Sequence, residues 1–371
     1  MIFWYFFFLV ILIYICTFLA VSIACIIRPC YSNFSIEAKT FISVIIAFRD
    51  EEKYLSPLLS SLKKQTYHQE YFEVIFANDH SNDNSANIIR EQLSGVLDYK
   101  IIELEENKKG KKEALLLAAE HAQGELLVFT DADCTVNENW LTLFNNFYCE
   151  KSKPSMIIGL VDNFDAQGLL SEIFRLEFLS LVITGAGMTA LKMPVFANGA
   201  NLAVRRKDYL EENYLKNDFS SGDDVFLLHQ LKGRRKKIEL LNSAGSVVHT
   251  AAPNSFKEFV NQRIRWGSKA RAYTDGAAIF LTLLVFTVNI FVVSALVLSL
   301  LQHSLFFFFS GLGAKISADM LVFISATKIF KLKWRIFLIP LVSIFYPFYL
   351  VTTAFIAIKK PFEWKGRKLL K

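Results

Sequence analysis

Charge is missing from three long stretches of this 371-residue sequence. No Asp, Glu, Lys or Arg occurs between Ile2 and Ile27, between Ile279 and Leu301, or between Ile336 and Ile358. Each stretch exceeds the roughly 20 residues that cross a ~30 Å hydrocarbon core. With 53% hydrophobic residues, the sequence excludes an ordinary soluble protein and an intrinsically disordered one. The long interval between the first two stretches can bury a core of its own, which argues against a purely membranous transporter.

The sequence also lacks the features of a secretory signal peptide and of a metal-binding cysteine cluster. A signal peptide begins with a basic segment and has an apolar region of about 7–15 residues, whereas the first stretch is longer and has no basic start. We interpret residues 1–27 as an uncleaved anchor, and Arg28 and Lys39 after it predict that the chain emerges in the cytosol. None of the five cysteines forms a CxxC spacing, and no disulfide framework is expected.

The net charge of +6 comes from basic residues that cluster beside the apolar stretches. Such clusters favour the cytoplasmic face and anionic lipid head groups. No basic patch with interleaved aromatic residues occurs in the middle of the chain, so we predict no nucleic-acid partner. The clusters comprise Lys269, Arg271, Lys331, Lys333, Arg335 and the tail residues from Lys359 to Lys371.

The middle of the chain alternates strand-like and helix-like segments, which predicts an α/β domain with an open, mostly parallel central sheet. Ligands of such sheets bind beyond the carboxyl ends of the strands. The predicted strands are Phe41–Ala47, Phe72–Ala77, Lys100–Leu104 and Glu125–Thr130, and the predicted helices are Leu55–Leu62, Ala86–Leu97 and Lys112–His121.

Two acidic clusters carry the strongest chemical signals. Asp131 and Asp133 follow the fourth predicted strand, and two carboxylates at i and i+2 are hard ligands that suit Mg²⁺ or Mn²⁺. Asp223 and Asp224 precede an apolar helix, and their mutual repulsion can raise one pKa, as a general base requires. A polar turn or a helix cap is the alternative at both places.

Three further clusters have polar or cationic chemistry. The run Asn78–Asp83 after the second strand fits either nucleoside recognition or a turn. The run Lys109–Lys112 opens a helix and is either an anion site or a solvated charge run. In the run Gln262–Trp266, arginine forks can bind phosphates, and the tryptophan can stack on a sugar or anchor at the membrane interface.

In this order, the clusters resemble those of family 2 glycosyltransferases with a GT-A domain, and more closely the membrane-embedded branch that includes ceramide glucosyltransferases, hyaluronan synthases and cellulose synthases. The resemblance covers about Ile42 to Trp266. Its motifs are SVIIAFRDEE, VIFANDHSND, KKGKKEAL, DAD, NGANLAVRR, GDD and QRIRW, and the tail PFEWKGR is also similar to some lipid-glycosylating members. Asn78 stands where many relatives have a second Asp.

The resemblance implies a role for each matching residue. It implies Asp224 as the catalytic base beside Asp223, a divalent metal (Mg or Mn) on Asp131 and Asp133, and an acceptor site at Asn201 and Trp266. The implied nucleotide-sugar ligands are Arg49, Glu51, Asp79, Lys111, Asp131, Gln262, Arg263 and Arg265.

The resemblance further implies an inverting transfer from a nucleotide diphosphate sugar, with UDP as the expected nucleotide. Few candidate spans favour a membrane lipid as acceptor, at the cytosolic face. A processive polysaccharide synthase is the alternative, and oligomerisation, which the sequence leaves open, could supply its channel. An inactive membrane scaffold would show damaged acidic positions, but Asp79, Asp131, Asp133 and Asp224 are all present.

We therefore predict three parts: an N-terminal transmembrane anchor (1–27), a cytosolic GT-A domain (28–278) and a C-terminal membrane region with a basic tail (279–371). The protein is predicted to be multi-pass in a plasma or inner membrane. The apolar stretch Ser304–Phe330 contains Lys315, Asp319 and Lys328. It either spans or is re-entrant, so two or three C-terminal spans are possible, and each choice places one basic cluster outside.

Overall fold

The computed structural model describes residues 1–35, 38–164, 168–211, 223–359, 362–364 and 367–369. Its helices are α1 (Ile2–Ile27), α2 (Leu55–Lys63), α3 (Ser85–Leu93), α4 (Lys111–His121), α5 (Trp140–Glu150), α6 (Leu169–Ala190), α7 (Arg206–Glu211), α8 (Asp223–Gly233), α9 (Phe256–Lys269), α10 (Gly276–Leu301), α11 (Phe306–Ser325), α12 (Thr327–Phe330) and α13 (Ile339–Lys359). Its strands are β1 (Ile42–Phe48), β2 (Phe72–Asn78), β3 (Tyr99–Glu103), β4 (Leu126–Phe129), β5 (Cys134–Thr135), β6 (Met156–Ile158), β7 (Val161–Phe164), β8 (Leu202–Arg205), β9 (Ile238–Leu240), β10 (Val248–Ala251), β11 (Phe362–Trp364) and β12 (Arg367–Leu369).

The chain divides into two compact units, each built from separate parts of the sequence. We name the unit of residues 29–165 and 196–251 the sheet unit. The unit of residues 1–28, 166–195 and 252–371 is the helical unit. The predicted boundaries of a domain at 28–278 stay a prediction.

The main sheet of the sheet unit has the order β3-β2-β1-β4-β8-β6-β9 within the described residues. Strands β1, β2, β3 and β4 are mutually parallel, whereas β8 runs antiparallel to both β4 and β6. Every residue of β2 and all but one of β1 are buried, which explains their apolar runs, because parallel strands are covered on both faces. The α/β class and the mostly parallel sheet are confirmed, and the observed strand bounds lie within one residue of the predicted ones.

A second sheet of the same unit has the order β5-β10-β7 in the described ranges. Its strand β5 begins at Cys134, directly after Asp133, and pairs antiparallel with β10. The aspartates that follow β4 are therefore held between two sheets, because the chain enters the second sheet one residue later.

In the helical unit, four helices are long and apolar enough to cross a membrane, counting only described residues. They are Ile2–Ile27, Gly276–Leu301, Phe306–Ser325 and Lys333–Ile356. The third contains a buried polar cluster: Lys315 Nζ donates to Asp319 Oδ2 at 2.6 Å, and Tyr14 Oη of α1 donates to Asp319 Oδ1 at 2.6 Å. Lys315 is thus paired, which is how a charge is tolerated inside an apolar helix.

A buried carboxylate, Asp208 of α7, connects the end of β8 to the segment that precedes β9. It accepts from Arg205 Nε at 2.6 Å and from Lys236 Nζ at 2.7 Å. Burial acts to raise its pKa, but the two cations outweigh burial and lower the pKa to about 2. A lowered native pKa stabilises the fold at neutral pH.

Asp208→Asn is expected to lower the free energy of unfolding by about 2 kcal/mol at pH 7. At that pH the Asp208 carboxyl is ionised in the folded and the unfolded state, so its lowered native pKa contributes its full stabilisation. The stabilisation is present above the unfolded pKa of about 3.9 and is lost as pH falls toward the native value. The difference between wild type and variant should therefore shrink from pH 5 downward. Denaturant unfolding of the full chain in detergent at several pH values measures it.

The matched control is Glu211→Gln, which removes an exposed carboxylate 3.7 Å from the same Lys236 Nζ. An exposed pair contributes little, so this variant should unfold close to wild type at every pH. Equal losses in both variants would contradict the role assigned to Asp208.

Candidate active site

The loops after β1 and β2 are joined by hydrogen bonds from backbone N–H groups to side chains. Asp50 N donates to Ser81 Oγ at 3.1 Å, and Asn82 N donates to Asp50 Oδ1 at 2.7 Å. Glu52 N donates to Asp83 Oδ2 at 3.0 Å. The polar residues of both motifs thus hold the two loops together. These loops lie at the edge of the sheet where ligands of this architecture bind.

Arg49 and Asp79 meet at this edge. Arg49 Nη1 donates to the Asp79 carbonyl at 2.9 Å and lies 3.9 Å from Asp79 Oδ1. Burial raises the pKa of the Asp79 carboxyl, and the Gly110 N–H and the Arg49 charge only partly oppose it. Glu51, the third predicted ligand here, is half-buried, and its N–H donates to Ser85 Oγ at 2.9 Å.

The start of α4 connects this group to the acidic motif after β4. Gly110 caps α4 with a φ of 103°, a value that L side chains rarely adopt. This turn places Lys111, whose Nζ lies 2.5 Å from Asp131 Oδ1. Arg49, Asp79, Gly110, Lys111 and Asp131 therefore form one continuous chain of contacts, which joins four motifs of the sequence.

Asp131 and Asp133 fit a divalent cation by the chemistry of their donor oxygens. Burial, followed by the charge of Asp131, raises the pKa of Asp133, and Lys111 opposes that rise. A bound cation would offset both causes. Over the described ranges, no three His, Cys, Asp or Glu residues group to hold a metal. The other ligands would thus come from substrate phosphates and water, as is common for Mg²⁺.

Asn78 has a structural explanation. Its Nδ2 donates to Glu103 Oε2 at 2.8 Å, and its Oδ1 accepts from Ser81 N at 2.9 Å. The carboxylate of an Asp at this position would be repelled by the carboxylate of Glu103, which has the same charge. The amide therefore suits this chain where a second carboxylate would be repelled.

The segment NGAN and the start of α8 also come together. Asp224 is half-buried, and its Oδ2 accepts from Gly199 N at 3.0 Å while its Oδ1 accepts from Val225 N at 2.8 Å. The carboxylate is thus oriented by two backbone donors. The side chain of Asp223 lies outside the described residues.

Asn201 is fully buried, and its amide is fully used. Its Nδ2 donates to the carbonyls of Leu160 and Ser246, each at 2.7 Å, and its Oδ1 accepts from Trp140 Nε1 at 3.0 Å. A Cβ on Gly159 would collide with this amide. The geometry gives Asn201 a positioning role for the NGAN turn, and its predicted direct contact with the acceptor stays a prediction without structural support.

The QRIRW motif lies on α9 in the helical unit. Arg263 is buried and donates from Nε to Glu177 Oε2 of α6 at 2.7 Å. Tyr349 Oη donates to Glu177 Oε1 at 2.7 Å. Burial acts to lower the pKa of Arg263, but the Glu177 charge outweighs it and raises the pKa. The guanidinium is thus neutralised within its own unit, which does not support the predicted phosphate contact.

The neighbours of Arg263 complete this cluster. Its guanidinium carbon lies 4.3 Å from the Trp266 ring centroid, and Arg263 Nη1 donates to Gln262 Oε1. Arg265 is half-exposed on the same helix. The predicted roles of Gln262, Arg265 and Trp266 stay predictions.

Sequence reasoning missed Glu177, Gly199 and Trp140. Glu177 lies 86 residues from Arg263. The available signal was a glutamate in an apolar helical run, since a buried charge needs a partner. No sequence signal indicated the contacts of Gly199 or Trp140.

Comparison with known proteins finds a family model and relatives that each match part of the chain. Residues 43–213 match the family described as Glycosyl transferase family 2. The poly(ribitol-phosphate) beta-N-acetylglucosaminyltransferase TarS of Staphylococcus aureus (strain MW2) is 27% identical over 202 residues, which cover 54% of this chain and 34% of TarS. The dolichyl N-acetyl-alpha-D-glucosaminyl phosphate 3-beta-D-2,3-diacetamido-2,3-dideoxy-beta-D-glucuronosyltransferase of Methanococcus voltae is 24% identical over 235 residues, covering 62% of this chain and 72% of that protein.

One solved structure matches over nearly the whole length. The mannosyltransferase PcManGT from Pyrobaculum calidifontis, in complex with GDP-Man and Mn²⁺, has a TM-score of 0.60 and 17% identity, and the match covers 95% of this chain and 96% of that one. At this identity the likeness concerns the fold. The expected match to family 2 glycosyltransferases, over residues 43–213, and the GT-A fold are confirmed. The closer resemblance to the membrane-embedded branch stays a prediction.

Proposed function

We propose that the chain is an inverting glycosyltransferase that moves a sugar from a nucleotide diphosphate sugar, with UDP expected, to a membrane lipid at the cytosolic face. The observation that carries this proposal is the continuous chain of contacts from Arg49 through Asp79 and Lys111 to Asp131. It presents base-recognising, cationic and metal-binding groups along one edge of the sheet, as a nucleotide diphosphate requires.

Asp224 acts as the general base in this reaction. Its carboxylate accepts the proton of the acceptor hydroxyl while that oxygen attacks the anomeric carbon. The bond from the anomeric carbon to the phosphate oxygen breaks, and the nucleotide diphosphate leaves. Lys111 provides positive charge where the leaving diphosphate gains negative charge. A divalent metal on Asp131 and Asp133 would supply Lewis-acid neutralisation of the same diphosphate.

A lipid acceptor is supported by the four helices that are long and apolar enough to span a membrane. The relative from Methanococcus voltae is named for a dolichyl phosphate-linked acceptor. TarS is named for a poly(ribitol-phosphate) acceptor, so a polymer product is the second candidate.

A partition experiment tests the function. The purified full chain is incubated in native lipid extract with radiolabelled UDP- or GDP-sugars and Mn²⁺ or Mg²⁺. We expect label in the organic-soluble lipid fraction. Label in alcohol-insoluble polymer would overturn the lipid acceptor. If no donor gave either incorporation or donor hydrolysis, the transferase function would be overturned. Asp131→Asn/Asp133→Asn is the control and should lose metal dependence.

The contact between Lys111 and Asp131 leads to a second prediction, which can be tested without measuring sugar transfer. Lys111→Met should raise the affinity for Mn²⁺ alone about five-fold, because the ammonium no longer competes for Asp131, and should weaken UDP binding. Electron paramagnetic resonance of free Mn²⁺ measures the first effect without turnover. Lys109→Met, an exposed lysine of the same loop, is the control and should change neither affinity. Unchanged or weaker Mn²⁺ binding in Lys111→Met would contradict the competition.

A further inference from the structure

Two of the apolar helices, α1 and α11, run in the same direction. The rings of Trp4 and Phe307 have centroids 5.1 Å apart near the starts of the helices. Tyr14 Oη donates to Asp319 Oδ1 further along both. Because residue numbers rise together, the segment after α11 lies toward the same end of the helical unit as the end of α1.

The two connections that flank α11 differ in their content of basic residues. The loop 302–305 between α10 and α11 lies at the opposite end and contains no Lys or Arg. Arg28 follows α1, and the segment after α11 contains Lys331, Lys333 and Arg335. If α1 and α11 both cross the membrane, Arg28 and these three basic residues after α11 lie on the same side, and cytoplasmic loops are typically rich in such residues.

We name residues 328–337 the basic–aromatic segment. Lys328, Lys331 and Lys333 are exposed, and among the described side chains none of the three forms an ion pair. The side chains of Trp334 and Phe337 are 57% and 78% exposed. Lys331 and Lys333 have φ values of 50° and 46°, so the backbone turns sharply at both. Lysines and large apolar rings are thus presented together.

The segment is anchored to the helical unit by α6. Arg335 Nε lies 2.7 Å from Glu172 Oε2, which neutralises the one arginine of the segment. Arg175 Nη2 donates to the carbonyl of Phe330 at 3.2 Å. The backbone is therefore held while the three lysines keep their charge for another partner.

We propose that the basic–aromatic segment binds anionic phospholipid head groups on the membrane face where α1 ends. Charge complementarity favours this partner, because three unpaired ammonium groups meet phosphates while Trp334 and Phe337 enter the interface. The segment then lies where tryptophan and lysine are commonly found at membrane boundaries. This inference rests on the proposed membrane placement and goes beyond the proposed reaction.

Fluorescence quenching tests the lipid preference. The full chain is reconstituted in nanodiscs containing brominated phosphatidylglycerol or brominated phosphatidylcholine, and the signal of Trp334 is the difference between wild type and Trp334→Phe. We expect stronger quenching by the anionic lipid at low salt and a smaller preference at high salt. Each lysine near an anionic surface contributes a factor of about five in affinity.

The variant Lys328→Gln/Lys331→Asn/Lys333→Asn should lose most of this preference, and asparagine tolerates the left-handed backbone. The control Lys53→Gln/Lys63→Gln/Lys64→Gln removes the same charge from the sheet unit and should keep it. Equal quenching by both lipids, or an unchanged preference in the first variant, would overturn the proposal. Quenching by neither lipid would overturn the membrane placement itself.

Labelling tests the position independently. In a background with the five native cysteines replaced, Lys331→Cys and His303→Cys should react with an impermeant maleimide from opposite sides of sealed vesicles. Labelling of both cysteines from the same side would overturn the placement of the segment. This result does not depend on whether the protein transfers a sugar.

Discussion

Asp224→Asn is expected to lower kcat by about 10²–10⁴-fold and to leave donor affinity nearly unchanged, which is the loss typical of a removed general base. Asparagine has the same shape and keeps one oxygen for the Gly199 N–H, which donates to Asp224 Oδ2 at 3.0 Å. The substituted amide cannot accept the proton of the acceptor hydroxyl. Initial rates of label transfer and binding of a fluorescent UDP analogue measure the two quantities.

Asp223→Asn is the matched control, since it removes the neighbouring carboxylate of the same helix start. It should lose far less activity than Asp224→Asn if Asp224 is the base. Near-normal turnover by Asp224→Asn, or a larger loss in Asp223→Asn, would remove Asp224 from that role. Weakened donor binding in Asp224→Asn would instead indicate a disturbed site.

The sequence predicts the first four strands of the sheet unit well because their signals are local. Strands β1 and β2 are short, mostly apolar runs that end in polar turns, because parallel strands are buried on both faces. The acidic and basic motifs follow directly from the strand ends. Their meeting at one edge follows from parallel topology, so the contact of Lys111 with Asp131 could be anticipated by position.

Long-range pairing of side chains could not be predicted from the sequence. Asn201 was assigned to the acceptor because its motif resembles a segment of family 2 glycosyltransferases, whereas the fold uses its amide to join Leu160, Ser246 and Trp140. No local pattern distinguishes a buried amide that holds a turn from one that faces a ligand. Arg263 was assigned to phosphate, whereas its partner Glu177 lies on α6, in a part of the chain for which no element was predicted.

Glu177→Gln is expected to destabilise the helical unit by about 3–5 kcal/mol, because the buried Arg263 is left with an uncompensated charge. Both side chains are nearly inaccessible, with Arg263 6% and Glu177 3% exposed. Phe259 and Trp266 flank the guanidinium at 4.5 and 4.3 Å, so water has little access to it. Thermal inactivation and denaturant unfolding in detergent measure the loss.

Two further variants separate the charge pair from packing. Tyr349→Phe removes only the hydrogen bond to Glu177 Oε1 and should cost about 1 kcal/mol. Glu177→Gln/Arg263→Met removes both charges and should be more stable than Glu177→Gln alone, since a neutral pair leaves no buried ion. If the loss of stability in the double variant instead equals the sum of the losses in Glu177→Gln and Arg263→Met, the pair is not coupled. In that case Arg263 keeps its charge for a ligand. A coupled pair makes Glu177 the residue that fixes Arg263, and with it the side of α9 that carries Gln262 and Trp266.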